Sequence, residues 1–257
     1  MVSYLKDFKI VDISAGAGHS FSVDENNQVY SWGASADFQT GIYVKPVVIP
    51  GKDTKQFLKV PQRVEGLNCK KSKILQISCG LKHTAVIMFC QITQQNEIIC
   101  FGGNEYGQCG NGEHGKGKLK TNFETHMSLK GKSIQIVECG AAHTILKTLN
   151  NEIFSFGLND KGQLGLGVSG NFSSTPHKLK RFTSFPVVKI SCSDESSCLI
   201  TSNGDLYVWG RNTSGMFDSE SGIFALDQPI LKPTLIKGLK IQNVSLGPKT
   251  MVMLKNS

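Results

Sequence analysis

The sequence predicts an all-β chain built as a β-propeller of four-stranded blades, about four complete blades plus half a blade. Three observations predict it. Apolar and polar residues alternate in short strand-like stretches, and a composite motif recurs in fixed order. The 257 residues also include 27 glycines and show no sustained helical periodicity.

Each unit begins with an alternating stretch that ends in Gly-x-x-His: VDISAGAGH, LQISCGLKH and IVECGAAH, carrying Gly16 and His19, Gly80 and His83, and Gly140 and His143. A second alternating stretch ends in an aromatic residue and glycine, giving Trp32-Gly33, Phe101-Gly102, Phe156-Gly157 and Trp209-Gly210. Period-two alternation is the pattern of a strand with one buried face. Between the two stretches lie Asn27, Asn150-Asn151 and Asn203-Gly204, residue types that tolerate the positive φ of a tight hairpin. The aromatic ring is a large buried anchor, and the glycine after it allows a turn or a close backbone approach.

A third piece, Asn-x-x-Gly-Gln-x-Gly, runs from Asn104 through Gly107 to Gly110 and from Asn159 through Gly162 to Gly165. The fourth is a proline-led apolar tetrad starting at Pro61, Pro176 and Pro233. The spacing supports a true repeat. From the histidine position to the aromatic is 13 residues in the first, third and fourth units and 18 in the second. The leading glycine position recurs at 16, 80, 140, 193 and 247. One repeat domain, 1–257, thus divides into approximate units 10–73, 74–133, 134–186 and 187–240, with a half unit at 241–257.

These motifs, in this order, resemble the regulator of chromosome condensation repeat, most closely in GAAHTILKTLNNEIFSFGLNDKGQLGLG (140–167). The resemblance covers nearly the whole chain and marks a divergent, short member. Ser193-Asp194-Glu195-Ser196 and Gly247-Pro248-Lys249-Thr250 stand where Gly-x-x-His is expected, and the loop motif is blurred to ASADFQTG after Gly33. Propellers of that family have about seven blades, so the resemblance implies an incomplete ring. Three outcomes then stand open: the chain is a fragment, a second copy or a partner completes the ring, or the open arc is stable, the first two being the expectation.

Composition points the same way. With 39% hydrophobic and 19% charged residues the chain is that of a globular protein, and no apolar run reaches bilayer-spanning length. The start lacks a secretory signal, so a cytoplasmic or nuclear, non-secreted protein is expected, and the Asn-x-Ser matches at Asn171, Asn212 and Asn243 read as chance. The eight cysteines include no Cys-x-x-Cys pair and are expected to be reduced, buried thiols.

No catalytic grouping, cofactor loop or metal-ligand spacing stands out. His19, His83 and His143 recur at one repeat position, whereas a catalytic residue is normally unique. They are expected to be buried imidazoles that bridge strands, not a metal site. Gly115-Lys116-Gly117-Lys118 lacks the helix that follows a phosphate-binding loop. The net charge of +8 is concentrated in Lys45, Lys52, Lys55, Lys59, Arg63, Lys70, Lys71 and Lys73, opposed there only by Asp53 and Glu65. Such a segment suits an acidic protein surface, nucleic acid or an anionic membrane.

The functional expectation is a non-enzymatic protein-interaction scaffold, with segment 45–73 and loop 111–126 as contact surfaces. The resemblance implies two alternatives. One is guanine-nucleotide exchange on, or regulation of, a small GTPase such as Ran, with segment 34–73 or loop 111–126 as the wedge. The other is a chromatin or acidic-membrane tether through the basic segment.

Overall fold

The computed structural model describes residues 3–46, 56–67, 72–123, 129–180, 183–212, 217 and 228–255. Strands β1 (Ile10–Ala15), β2 (His19–Asp24), β3 (Val29–Ala34) and β4 (Phe57–Arg63) form blade 1. Blade 2 holds β5 (Ser72–Cys79), β6 (His83–Cys90), β7 (Gln95–Gly103) and β8 (Leu119–Lys120). Blade 3 holds β9 (Ile134–Cys139), β10 (His143–Thr148), β11 (Ile153–Leu158) and β12 (Phe172–Lys178). Blade 4 holds β13 (Val187–Cys192), β14 (Ser196–Thr201), β15 (Leu206–Gly210) and β16 (Ile230–Leu235). A two-stranded sheet, β17 (Ile241–Leu246) and β18 (Met251–Lys255), follows. Each sheet is an antiparallel meander in chain order.

The turns obey the local chemistry. Asn27 and Asn151 take φ of 63° and 60° between the second and third strands, and Gly204 takes 83°. The glycine after the aromatic has φ between 94° and 105° in all four blades. A Cβ on Gly157 would also lie 2.4 Å from the Ala142 carbonyl oxygen, so the site excludes a side chain twice over. In the second unit the five extra residues lengthen the hairpin: β6 and β7 extend to eight and nine residues.

The prolines of the tetrad occupy one recurring irregularity. In blade 3, Ser155 pairs with His177 and Gly157 with Ser173, so residues 174–176 bulge opposite Phe156. The same shift places Pro61 opposite Trp32 and Pro233 opposite Trp209. A proline cannot donate to the ladder, and a bulge in an outermost strand needs no donor there. Blade 2 has no such tetrad, and among the described residues its fourth strand is Leu119–Lys120. Phe123 instead packs against the rings of Phe101 and Phe38, at 5.0 and 6.0 Å between centroids.

The core lies between blades. The face of each sheet toward the following blade (its trailing face) meets the leading face of the next. Ala85, Ile87 and Ile98 of blade 2 pack on Val137, Leu146 and Phe156 of blade 3. Phe21, Val23 and Val29 of blade 1 meet Ile77, Val86 and Phe101 of blade 2. Among the described residues no ring closes, since the leading face of blade 1 exposes Ile13 at 76% and β18 exposes Val252 at 69%.

Trp209 is fully buried between blades 3 and 4, and its indole N–H donates to the Gln163 carbonyl at 2.8 Å. Trp209→Ala should destabilise the chain by roughly 3–5 kcal/mol, read from chemical denaturation. A melt close to wild type would mean that this ring does not anchor the interface.

Candidate protein-interaction surface

The repeat histidines bridge blades, rather than the strands of one blade. His19 Nε2 lies 2.8 Å from Thr84 Oγ1 in blade 2. His83 Nε2 lies 3.0 Å from Thr144 Oγ1 in blade 3, and His143 Nε2 3.0 Å from Ser197 Oγ in blade 4. Each hydroxyl in turn donates back to the preceding blade, the one that carries the histidine: Thr84 to the Gln39 carbonyl at 2.8 Å, Thr144 to Gln108 at 2.8 Å, Ser197 to Gln163 at 3.0 Å. With its one hydrogen committed to that carbonyl, the hydroxyl can only accept from the imidazole, so Nε2 carries the proton.

Nδ1 of all three rings is buried without a partner among the described residues. Burial holds the imidazoles neutral, lowering His19 and His143 to about 4. His83, with the other two histidines adding to the effect of burial, falls to about 3. A Cβ on Gly140 would lie 2.0 Å from the His143 ring and 2.5 Å from the Ser193 carbonyl. Glycine at this point therefore makes room for the imidazole and for the neighbouring blade.

The glutamine carbonyls are held by their own loops. Asn104 Oδ1 accepts from Cys109 N–H and Asn159 Oδ1 from Leu164 N–H, both at 3.0 Å. The glutamine side chains accept from Tyr106 and Lys161 N–H. The blurred first unit preserves this use, with Gln39 Oε1 accepting from Asp37 N–H at 2.9 Å. In the fourth unit Asn212 Oδ1 still accepts from Phe217 N–H at 3.2 Å.

The relay stops after blade 4. Ser196 replaces the histidine and donates to the Arg211 carbonyl in its own blade at 2.7 Å. The hydroxyl position in β18 is taken by Met251, which packs with Met253 against the blade 4 core. Both halves of the bridge are thus lost together.

The thiols offer little reactivity. Cys100, Cys109, Cys139 and Cys198 are buried, and Cys79, Cys90 and Cys192 partly so; Cys69 lies outside the described residues. Burial pushes Cys79 up to about 12 and raises Cys109 and Cys198 further. Cys90 is lowered by the backbone N–H of Thr93, because it sits beside the turn of the lengthened hairpin. No metal-binding group of His, Cys, Asp and Glu occurs among the described residues.

What remains for a partner is the loops and faces. Of the basic segment, Lys45, Lys59, Arg63 and Lys73 are exposed; Lys52, Lys55, Lys70 and Lys71 lie outside the described residues. Arg63 pairs with Glu65 at 3.3 Å. Lys45 belongs to the loop after β3, whereas Lys73 sits beside Asn27 at the opposite end of the sheets, where Asn27 bonds the Ser72 carbonyl and the Ile74 N–H. The sheet thus separates these two cations. Tyr43, 75% exposed, stands two residues from Lys45. Loop 111–126 is pinned up to its strand: Asn104 bonds the Glu113 carbonyl, and the Gly115–Lys118 turn is closed by a 2.9 Å hydrogen bond. Its residues 124–126 lie outside the described residues.

Two sequence models of the regulator of chromosome condensation (RCC1) repeat match the chain, one at residues 26–87 and 150–200, the other at 10–39, 134–163 and 187–215. Together they cover more than half of it. The chain belongs to the RCC1 repeat family. It is 30% identical over 80% of its length to human HERC6, described as a probable E3 ubiquitin-protein ligase, and spans 19% of that protein. It is 34% identical over 56% of its length to the X-linked retinitis pigmentosa GTPase regulator of Canis lupus familiaris, of which it spans 14%. The RCC1-type fold is also that of human WBSCR16, whose crystal structure superposes with a TM-score of 0.79 at 22% identity, covering 97% of this chain and 61% of that one. No helix among the described residues is long and apolar enough to cross a membrane.

The RCC1 histidines set a pH dependence. Their folded pKa values lie below the ordinary 6.5, so unfolding takes up protons once the pH falls below 6.5, and stability drops until pH about 4. Glu138 opposes them, since burial raises its carboxyl to about 7 and unfolding releases its proton between pH 7 and 4.5. Three groups outweigh one. The melting temperature should fall between pH 6.5 and 4.5, and a His143→Gln variant should show a shallower fall in the same thermal scans.

Proposed function

We propose that the chain is a non-enzymatic scaffold that binds protein partners through its blade loops. The observation that carries this reading is the relay itself. The repeat histidines, hydroxyls and glutamine carbonyls are spent on holding blades together, and the buried thiols are kept protonated. Outside that interior, the loops between third and fourth strands differ in length and sequence from blade to blade on a common frame, an arrangement suited to recognition. The first of these loops combines an exposed aromatic, Tyr43, with Lys45 and the charges that follow it in sequence. An aromatic anchor beside positive charge favours an acidic protein face.

Regulation of a small GTPase is the second reading, favoured by the match to a protein named as a GTPase regulator. Because the chain spans a small part of that relative, the reading rests on the shared repeat alone.

Replacing Lys45, Lys52, Lys55 and Lys59 with Glu should weaken capture of an acidic partner roughly tenfold, about 1.4 kcal/mol, with little change in melting temperature. Tyr43→Ala should weaken it independently. Unchanged affinity in both variants would remove this loop as the contact surface. A nucleotide-release assay on a Ran-type GTPase should show no acceleration by the chain, and a clear acceleration would favour the second reading. Steep loss of binding with added salt would point to nucleic acid.

A further inference from the structure

The cleft between the β10–β11 hairpin of blade 3 and the start of blade 4 gathers more positive charge than its own carboxylate balances. Just ahead of Val29, Ile98, Ile153 and Leu206, the four blades carry Gln28, Glu97, Glu152 and Asp205. In the outer strand, Lys178 pairs in register with Phe154, as Arg63 does with Tyr30 and Leu235 with Tyr207. Blade 1 thus combines a cation with a neutral glutamine, and blade 4 a leucine with an aspartate. Blade 3 combines lysine with glutamate. A second lysine, Lys132, reaches the same carboxylate from the Leu129–Lys132 turn ahead of β9. Glu152 accepts from Lys178 Nζ at 2.5 Å and from Lys132 Nζ at 2.7 Å, and the two ammoniums hold its carboxyl below the usual range. The Phe154 ring, 5.3 Å from Lys132 Nζ, steadies that ammonium further.

The cleft encloses about 510 Å3, and its charged lining residues among those described are Lys132, Lys178, Lys180 and Glu152. Three lysines against one glutamate leave a net charge of +2. An ammonium has three donors, and Lys132 and Lys178 each spend one on Glu152. Asn151, also in the lining, commits its Oδ1 to the Val187 N–H at 2.8 Å, which leaves its amide NH2 as a donor. A phosphomonoester, with a charge of about −1.5 to −2 and three acceptor oxygens, matches both the charge and the donors. Beside the cleft lies an apolar groove of about 650 Å3, lined by the buried Ile98, Leu129 and Ile134 and by Ile92, which is 73% exposed. Lys132 lines both.

We propose that these adjoining sites bind a phosphorylated peptide segment of a partner protein, its phosphate among Lys132, Lys178 and Lys180 and an apolar side chain in the Ile92 groove. The apolar groove selects a peptide over free phosphate. The recession of the cleft selects against a membrane, since a bilayer meets projecting side chains, whereas Lys132 and Glu152 are only 36% and 22% exposed. The site lies at the hairpin end of the sheets, opposite the loop of Tyr43 and Lys45, so binding at one does not depend on the other.

The probes are fluorescein-labelled peptides that differ only in the spacing between one phosphoserine and one leucine, each with a serine counterpart. They are titrated into the full chain and followed by anisotropy. At the spacing that fits, phosphorylation should tighten binding at least about tenfold. Lys178→Ala combined with Lys180→Ala should abolish that gain with little change in melting temperature, because both side chains are exposed. Glu152→Gln removes the competing charge and keeps an acceptor for the lysines, so it should tighten the phosphopeptide, which a purely structural glutamate would not do. Ile92→Asp should remove the preference for leucine and leave the preference for phosphate. Tyr43→Ala should change neither.

Equal affinity for phosphorylated and serine peptides at every spacing would overturn the proposal, as would a phosphate preference that survives in the double lysine variant. Inorganic phosphate displacing the peptide at equal concentration would also overturn it, leaving a simple anion site. Capture of the chain by phosphatidylcholine vesicles carrying phosphatidylinositol bisphosphate, with no peptide bound, would assign the cleft to a membrane instead. Loss of phosphopeptide binding in Tyr43→Ala would move the peptide to the opposite loop and leave this cleft without it.

Discussion

The hydrogen bond from a buried histidine to a hydroxyl in the next blade sets the register in which the sheets stack. Its net worth is modest, about 1 kcal/mol as for other neutral hydrogen bonds. Its geometric demands are large. The imidazole needs a glycine three residues earlier, the hydroxyl must lie second in its strand, and the glutamine carbonyl must be presented by a loop folded on its own asparagine. Once these are met, the apolar faces can meet in only one alignment. Where the histidine is lost, at Ser196, the acceptor is lost as well, and methionines fill the interface.

Much of this was legible in the sequence, because the relay donors recur as identical residues at one position of the repeat in the first three units. His19, His83 and His143 announce a structural role by repetition alone. Their acceptors were harder to find. Thr84, Thr144 and Ser197 alternate between two residue types, and each serves a histidine in a different unit, 65, 61 and 54 residues away. Gln39 was hidden because the loop around it has Ser35 where other units have asparagine. A motif search sees the missing asparagine, while the fold needs only the carbonyl two residues before Gly41. The basic segment shows the opposite limit. Counting charges along the chain groups Lys45 with Lys73, but an antiparallel meander carries them to opposite ends of a sheet. The open face of blade 1 was invisible for a simpler reason: Ile13 reads like any other buried strand residue until its neighbour is known.

The proposed recognition surface and the stabilising relay are consequently separated in space. The interior holds neutral imidazoles and protonated thiols, kept so by burial, while burial raises the Glu138 carboxyl to about 7. The polar groups there serve alignment. The loops carry the charge and the exposed aromatic, and they can vary without disturbing the relay beneath.

The bulged prolines of the outermost strands have a bearing on how such a molecule avoids its own kind. A row of unpaired N–H and C=O groups along the rim of each blade would invite another strand to add to it. In blades 1, 3 and 4 that rim is broken midway by a bulge that ends in a proline. Lateral growth is thereby blunted at these three blades, where sheets stack face to face and resist pairing edge to edge. Only growth along the stack keeps the repeat in step, and an accidental β-strand partner finds no continuous edge to grip on blades 1, 3 and 4.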